Sequence, residues 1–174
     1  SNVLTLDGTF EEYMAERGRE YARNVDRCRR LLAKEGTVKF YRAVGVDEVA
    51  RVFSLLEEQQ AARHGIRNDA YSLDDPEKRA FYERLAVDGT DADFGYLFAL
   101  EVDGEIIASL FGILHEGTFA MLRISTAGEA WKPVSAGRLI VLDAIRYFSE
   151  RGVKRFDLGL RDEGFKRSFG AIEM

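Results

Sequence analysis

Three short apolar runs joined by two-residue turns constrain this chain more than anything else in its sequence. Phe94, Tyr96, Phe98, Leu100 and Val102 alternate with Gly95, Leu97, Ala99 and Glu101, the period of a strand with one buried face. Asp103-Gly104 follows, a dipeptide suited to a turn that needs positive φ at both central positions. Ile106 to Leu114 returns as a nearly continuous apolar strand, Glu116-Gly117 turns again, and Phe119 to Ser125 gives a third strand. The spacing predicts an antiparallel meander, which needs covering elements to bury it.

Those elements flank it. Upstream, Met14, Tyr21, Val25, Cys28 and Leu32 share one helical face and predict a helix over Phe10–Lys34. A strand over Lys39–Val44, a helix over Glu48–Arg63 and a helix from Pro76 to Ala86 follow, the last opened by Asp74 or Asp75 as a cap. Downstream, Ser135–Arg151 reads as a helix stopped by Gly152. Phe156–Leu160 reads as a strand and Glu163–Phe169 as a short helix. A strand–helix–strand unit after a meander implies an α/β fold: a mixed, mostly antiparallel sheet with helices on both faces.

Composition narrows the function classes. The 174 residues are expected to form one domain, 1–174, with Ser1-Asn2 set aside as a scar of expression. One cysteine excludes an internal disulfide framework, and two histidines, His64 and His115, argue against a histidine-built metal site. The expectation is therefore no metal. No run approaches the ~20 apolar residues of a membrane span, and no signal-peptide pattern opens the chain, so a cytoplasmic location is expected. The net charge of −5 gives no global attraction to nucleic acid. Residues 17–34 depart from that average, with seven basic residues against Glu20 and Asp26. Such a run is usually a solvated face, yet it can draw an acidic glycan, a nucleotide-linked substrate or a tRNA acceptor stem.

Two segments carry chemistry. At Ser135-Ala136-Gly137-Arg138 a helix begins, where unpaired N–H groups and the positive dipole end gather. Ser135 can cap it, Gly137 can admit a ligand to the backbone and Arg138 adds a charged donor, together a cradle for a pyrophosphate. At Phe156–Gly170 a strand ends in Asp157 and Gly159, and a polar turn brings Asp162 or Glu163 within i,i+4 reach of Lys166 and Arg167.

The runs Lys132–Leu142, Glu150–Gly159 and Asp162–Gly170 resemble the GNAT-like acyltransferase domain of the CelD/BioF2-like family, whose members are often labelled cellulose-biosynthesis proteins. Phe165-Lys166 and Phe169-Gly170 are also similar to the Fem aminoacyltransferases of peptidoglycan cross-bridge synthesis. Arg63 matches an arginine that the family often carries at the end of its second helix. The chain departs from the pattern in two places. Ala136 stands where the family usually has proline, and Phe165 stands where it often has tyrosine before the lysine. If that tyrosine protonates the leaving thiolate, Ser168 is the nearest substitute here.

The resemblance implies a GNAT fold and an N-acyltransferase that uses acetyl-CoA or another acyl-CoA as co-substrate. The acceptor would be an amine on a small molecule or glycan. The thioester would lie on the third meander strand and its pyrophosphate on Ser135, Ala136, Gly137 and Arg138. Asp157 and Asp162 are the implied proton-accepting carboxylates, although Asp157 can equally serve to hold Lys166 or the turn. Lys166 and Arg161 would meet an anionic part of either substrate, and Arg63 and His115 would face the acceptor. A Fem-type enzyme fed by aminoacyl-tRNA and a non-enzymatic binding module are the alternatives. What separates them is whether a groove free of side-chain plugs runs between the third strand and the Ser135 helix; a blocked groove would favour the module. Family members are commonly about twice this length, so a C-terminal catalytic half is implied. An open sheet edge at Ala171–Met174 would invite a second copy.

Overall fold

In the computed structural model, which describes residues 1–67, 75–160 and 164–174, the two turns set the centre of the sheet. Asp103 and Gly104 have φ of 47° and 86°, and Glu116 and Gly117 have 46° and 72°. These values give the strand reversal its tightest form. Strands β3 (Gly95–Val102), β4 (Glu105–His115) and β5 (Thr118–Thr126) pair antiparallel in consequence. Strand β2 (Val38–Arg42) adds antiparallel to β3 at one edge. On the other side β6 (Arg155–Asp157) joins β5 in parallel, and β1 (Asn2–Thr5) and β7 (Ile172–Glu173) follow. The order is β2-β3-β4-β5-β6-β1-β7, a mixed and mostly antiparallel sheet.

Helices cover both faces. The 14 residues of α5 (Ala136–Ser149) lie on one face, where Leu139, Leu142, Ile145 and Phe148 pack on Phe98, Leu110 and Phe119. Phe148 stacks on Phe119 with ring centroids 4.3 Å apart. Beside α5 run α1 (Phe10–Glu16) and α2 (Arg19–Glu35), and a bidentate pair between Arg29 and Asp143 (3.0 and 2.6 Å) joins α2 to α5. The opposite face carries α3 (Val46–Arg67) and α4 (Pro76–Asp91). There Val49, Val52, Phe53 and Leu56 meet Leu97, Ala99 and Phe111.

The structure corrects several expected boundaries. The single helix expected over Phe10–Lys34 is two helices, because Gly18 adopts φ 92° between them. Thr9 and Glu12 form a reciprocal capping box at the start of the first. Asp75, whose carboxylate accepts from Glu77 N–H at 2.9 Å, caps α4, which runs on to Asp91 rather than Ala86. Asn2, set aside in the sequence, is 5% exposed within β1 and its Nδ2 donates to the Gly159 carbonyl at 2.9 Å. The final helix, α6, spans Gly164–Arg167.

Candidate active site

The site grows from one irregularity in the meander. Between Phe111 and Gly112 the β4–β5 register shifts, so that Phe111 faces Arg123, Gly112 faces Met121, and Leu122 is the extra residue of a bulge. A bulge bends its strand and breaks the regular ladder. Parallel pairing of β5 with β6 runs from Thr118–Arg155 to Ala120–Asp157, ending one residue before that bend. Beyond it β5 continues to Thr126 while β6 has ended, and a gap opens in the sheet.

The backbone of β5 that borders this gap can be assigned from the ladder. Ala127 N–H donates to the Ile107 carbonyl at 2.8 Å, which makes that pair hydrogen-bonded. Antiparallel pairs alternate, so Ala108–Thr126 and Leu110–Ile124 are the non-bonded pairs. The N–H and C=O groups of Ile124 and Thr126 therefore point away from β4, into the gap. Across from Met121 the chain after β6 stays close, since a β-carbon on Gly159 would lie 3.6 Å from the Met121 carbonyl oxygen.

At the far end of β5 a 3₁₀ segment, Glu129–Val134, leads into α5. Ser135, expected to cap the helix, makes no cap bond: it sits in the left-handed region (φ 52°, ψ 52°). Its Oγ instead accepts from Arg138 Nη2 at 3.2 Å, and the same nitrogen donates to Asn24 Oδ1 at 3.0 Å. The first intrahelical bond is Leu139 N–H to Ser135 C=O at 3.1 Å, so the N–H groups of Ala136, Gly137 and Arg138 precede the ladder and no side chain caps them. Gly137 lies against Thr126 of β5. A β-carbon there would touch Thr126 Cγ2 at 3.3 Å, so the glycine serves the packing of α5 on β5.

The remaining expected residues take distinct places. Asp157 Oδ1 accepts from Gly159 N–H at 2.7 Å and closes the turn after β6. Lys166 is 7% exposed and its Nζ donates to the Leu160 carbonyl at 2.5 Å, so it holds the same turn rather than Asp157. Ser168 Oγ donates to the Phe165 carbonyl at 2.6 Å. Arg161 and Asp162 lie outside the described residues. Arg63 is exposed on α3, on the face opposite α5. His115 ends β4 beside the closed end of the gap, its side chain 82% exposed and 3.8 Å from Glu116. Trp131 Nε1 donates to Glu105 at 3.2 Å, which pins its segment.

Two groups escaped sequence reasoning. Tyr21, expected only as a face residue of the first helix, brings its buried hydroxyl beside Ser168 and Arg138, between α5 and α6. Burial raises its pKa, against the Arg138 guanidinium, the Ser168 hydroxyl and Arg17. On the other face Arg123 and Ser125 point from β5 toward Gln59, Gln60 and Glu57 of α3. An arginine at an inward position of an apolar strand, with paired glutamines on a neighbouring helix, was the available signal. Burial raises the Glu57 pKa, and Arg123 and Arg79 oppose it. Among the described residues no group of three metal-ligating side chains converges, and no helix is long and apolar enough to cross a membrane.

No curated protein matches the chain. Among solved structures, FemX superposes with a TM-score of 0.72 at 12% identity, over 98% of this chain and 58% of its own, so the chain spans less than two thirds of that protein. An aminoglycoside acetyltransferase from an uncultured soil metagenomic sample, in complex with sisomicin, gives 0.56 at 14% identity over 79% of this chain and 91% of its own. A predicted acetyltransferase with acetyl-CoA from Clostridium acetobutylicum gives 0.54 at 12% identity over 79% and 92%. At these identities the likeness is one of fold. The acetyltransferase (GNAT) domain family matches residues 19–167, and with that span covered the chain belongs to this family.

Proposed function

We propose that the chain transfers an acyl group, acetyl first among the candidates, from acyl-CoA to an amine on a small molecule or glycan. One observation carries this reading: the gap-facing N–H and C=O groups of Ile124 and Thr126 lead directly to the uncapped first turn of α5. A pantetheine arm is itself a chain of amides, and a pyrophosphate is an anion suited to a helix N-terminus. Arg138 stands within that turn, fixed by Ser135 and Asn24.

Acyl transfer at such a site needs few side chains. A neutral amine adds to the thioester carbon, the carbonyl oxygen takes the charge, and backbone N–H groups beside the bulge stabilise it. The C–S bond then breaks, the thiolate takes a proton, and the new ammonium loses one to a carboxylate or a water chain. Asp157 and Asp162 are the proposed carboxylates, with one Asp157 oxygen already given to the turn. Lys166 holds the turn, Arg161 meets an anionic portion of a substrate, and Arg63 and His115 face the acceptor side. With Phe165 in place of tyrosine, the thiolate takes its proton from water or from Ser168, beside which the Tyr21 hydroxyl lies. Use of acyl-CoA places the reaction in the cytoplasm, and a role in polysaccharide or envelope metabolism fits an amine acceptor on a glycan. The test is incubation with acetyl-CoA and a panel of amines including amino sugars, with thiol release and product mass both followed. Acetylated product is expected; no product and no CoA binding would refute the reading.

One observation favours a second reading. Arg19, Arg23, Arg27, Arg30 and Lys34 are all exposed on α2 at helical spacing, a stripe of about 22 Å. A Fem-type enzyme using aminoacyl-tRNA would show tRNA binding that falls with salt at a log–log slope of about −4. It would be indifferent to CoA.

A further inference from the structure

On the face of the sheet opposite α5, helix α3 reaches the part of β5 that has lost β6 as a neighbour. Gln60 Nε2 donates to the Ile124 carbonyl at 2.8 Å, and Gln59 Nε2 donates to the Ile106 carbonyl at 3.0 Å. Ser125 Oγ donates to Gln59 Oε1 at 2.8 Å. The orientation of the Gln60 amide is fixed by the residue next to Ile124. Arg123 Nε donates to Gln60 Oε1 at 2.8 Å, and Arg123 Nη2 makes a second, shorter bond to the same oxygen. A guanidinium only donates, so the amide oxygen must face it and the amide NH₂ must face the strand. Arg123 is 4% exposed, and Glu57 balances its charge with Oε1 3.8 Å from Nη1, while Arg79 Nε lies 3.4 Å from the other Glu57 oxygen. A connected chain therefore runs from α4 through Glu57, Arg123 and Gln60 to the edge of the gap.

The Ile124 carbonyl is one of the groups that the ladder turns into the gap. Past Ala120, β5 has a sheet partner on one side alone. A strand bent by a bulge and held on one edge is free to swing, and the width of the gap would swing with it. The bond from Gln60 restrains that motion, and the carbonyl keeps a second lone pair for a ligand.

We propose that Gln60 is a positioning residue for acyl transfer: oriented by Arg123, it ties β5 beyond its bulge to α3 and keeps the gap-facing edge in the shape that an acyl-pantetheine chain requires. The proposal rests on the acyl-CoA reading above. Gln60 touches no reacting atom and acts through the backbone of β5.

Two variants separate its bond to Ile124 from its bonds to Arg123. Gln60→Glu keeps oxygens for Arg123 and loses the donor to Ile124; Gln60→Ala loses both. In the free protein, the Arg123 and Ser125 amides, which bond to β4, should exchange hydrogen about tenfold faster in Gln60→Glu, with the Phe98 and Leu100 amides unchanged. Calorimetry then compares acetyl-CoA with ADP, which carries the pyrophosphate without the pantetheine arm. Both variants should bind acetyl-CoA about tenfold more weakly and ADP within about twofold of the wild type. Unchanged exchange overturns the proposal, as does equal weakening of both ligands. Tighter acetyl-CoA binding also overturns it, since the amide would then obstruct the edge. Wild-type protein that binds neither ligand refutes the acyl-CoA reading, and with it the role in transfer, while the exchange comparison still decides whether Gln60 holds β5.

Discussion

Gly159 allows a prediction whose size follows from the geometry. It adopts φ +84° in the turn after β6, and a β-carbon there would meet the Met121 carbonyl oxygen at 3.6 Å and Lys166 Nζ at 3.9 Å. Those are ordinary contacts, so Gly159→Ala meets no clash and its cost is conformational. An L-residue in the left-handed region costs about 1–2 kcal/mol. The turn could relieve this by flipping, but it would lose Gly159 N–H to Asp157 (2.7 Å) and the two bonds from Asn2 to the Gly159 carbonyl (2.9 and 3.2 Å). At 0.5–1.5 kcal/mol each, roughly 1.5–4.5 in all, that loss exceeds the strain. The chain should therefore keep its conformation and lose about 1–2 kcal/mol, a Tm decrease of about 2–8 °C. Urea denaturation measures it, with Gly159→Asn expected to cost less because asparagine tolerates this region. Gly65→Ala in helix α3, where a β-carbon meets nothing within 4 Å, should instead stabilise by up to about 1 kcal/mol. Equal stability of wild type and Gly159→Ala would refute the reasoning.

Two further outcomes test the frame of the site. At Gly112 a β-carbon would lie 2.3 Å from Phe119 Cζ and 2.4 Å from the Ala120 carbonyl oxygen, so Gly112→Ala must shift the bulge and should cost about 3 kcal/mol in urea denaturation. Burial raises the Asp143 pKa above 3.8 against its hydrogen bonds to Arg29. The folded state then binds more protons than the unfolded state, so this contribution is full below about pH 3.8 and is lost as pH rises through the folded value. Relative to Asp143→Asn, wild-type stability should fall across that window in pH-dependent denaturation.

Much of the fold was legible because its determinants are local. The alternation in β3 and the Asp103-Gly104 and Glu116-Gly117 turns specify the meander without reference to anything distant. The apolar surface of α5 is equally explicit. Strand β1 was not legible, because four residues carry no period and their partners, β6 and β7, lie at the other end of the chain. The helix break at Gly18 hid inside an unbroken apolar pattern, since spacing does not report φ. In the site, the helix start was visible at Ser135–Arg138, but its left-handed entry depends on the preceding 3₁₀ segment. Gln60 and Arg123 are 63 residues apart, and nothing local to either predicts their meeting.

The measurement that tests the central claim most directly is calorimetric titration of acetyl-CoA into wild-type protein and into Arg138→Ala. The account predicts saturable one-to-one binding by the wild type, and affinity lower by about tenfold or more once the guanidinium at the α5 N-terminus is removed. No binding by the wild type, or undiminished binding by Arg138→Ala, would contradict it.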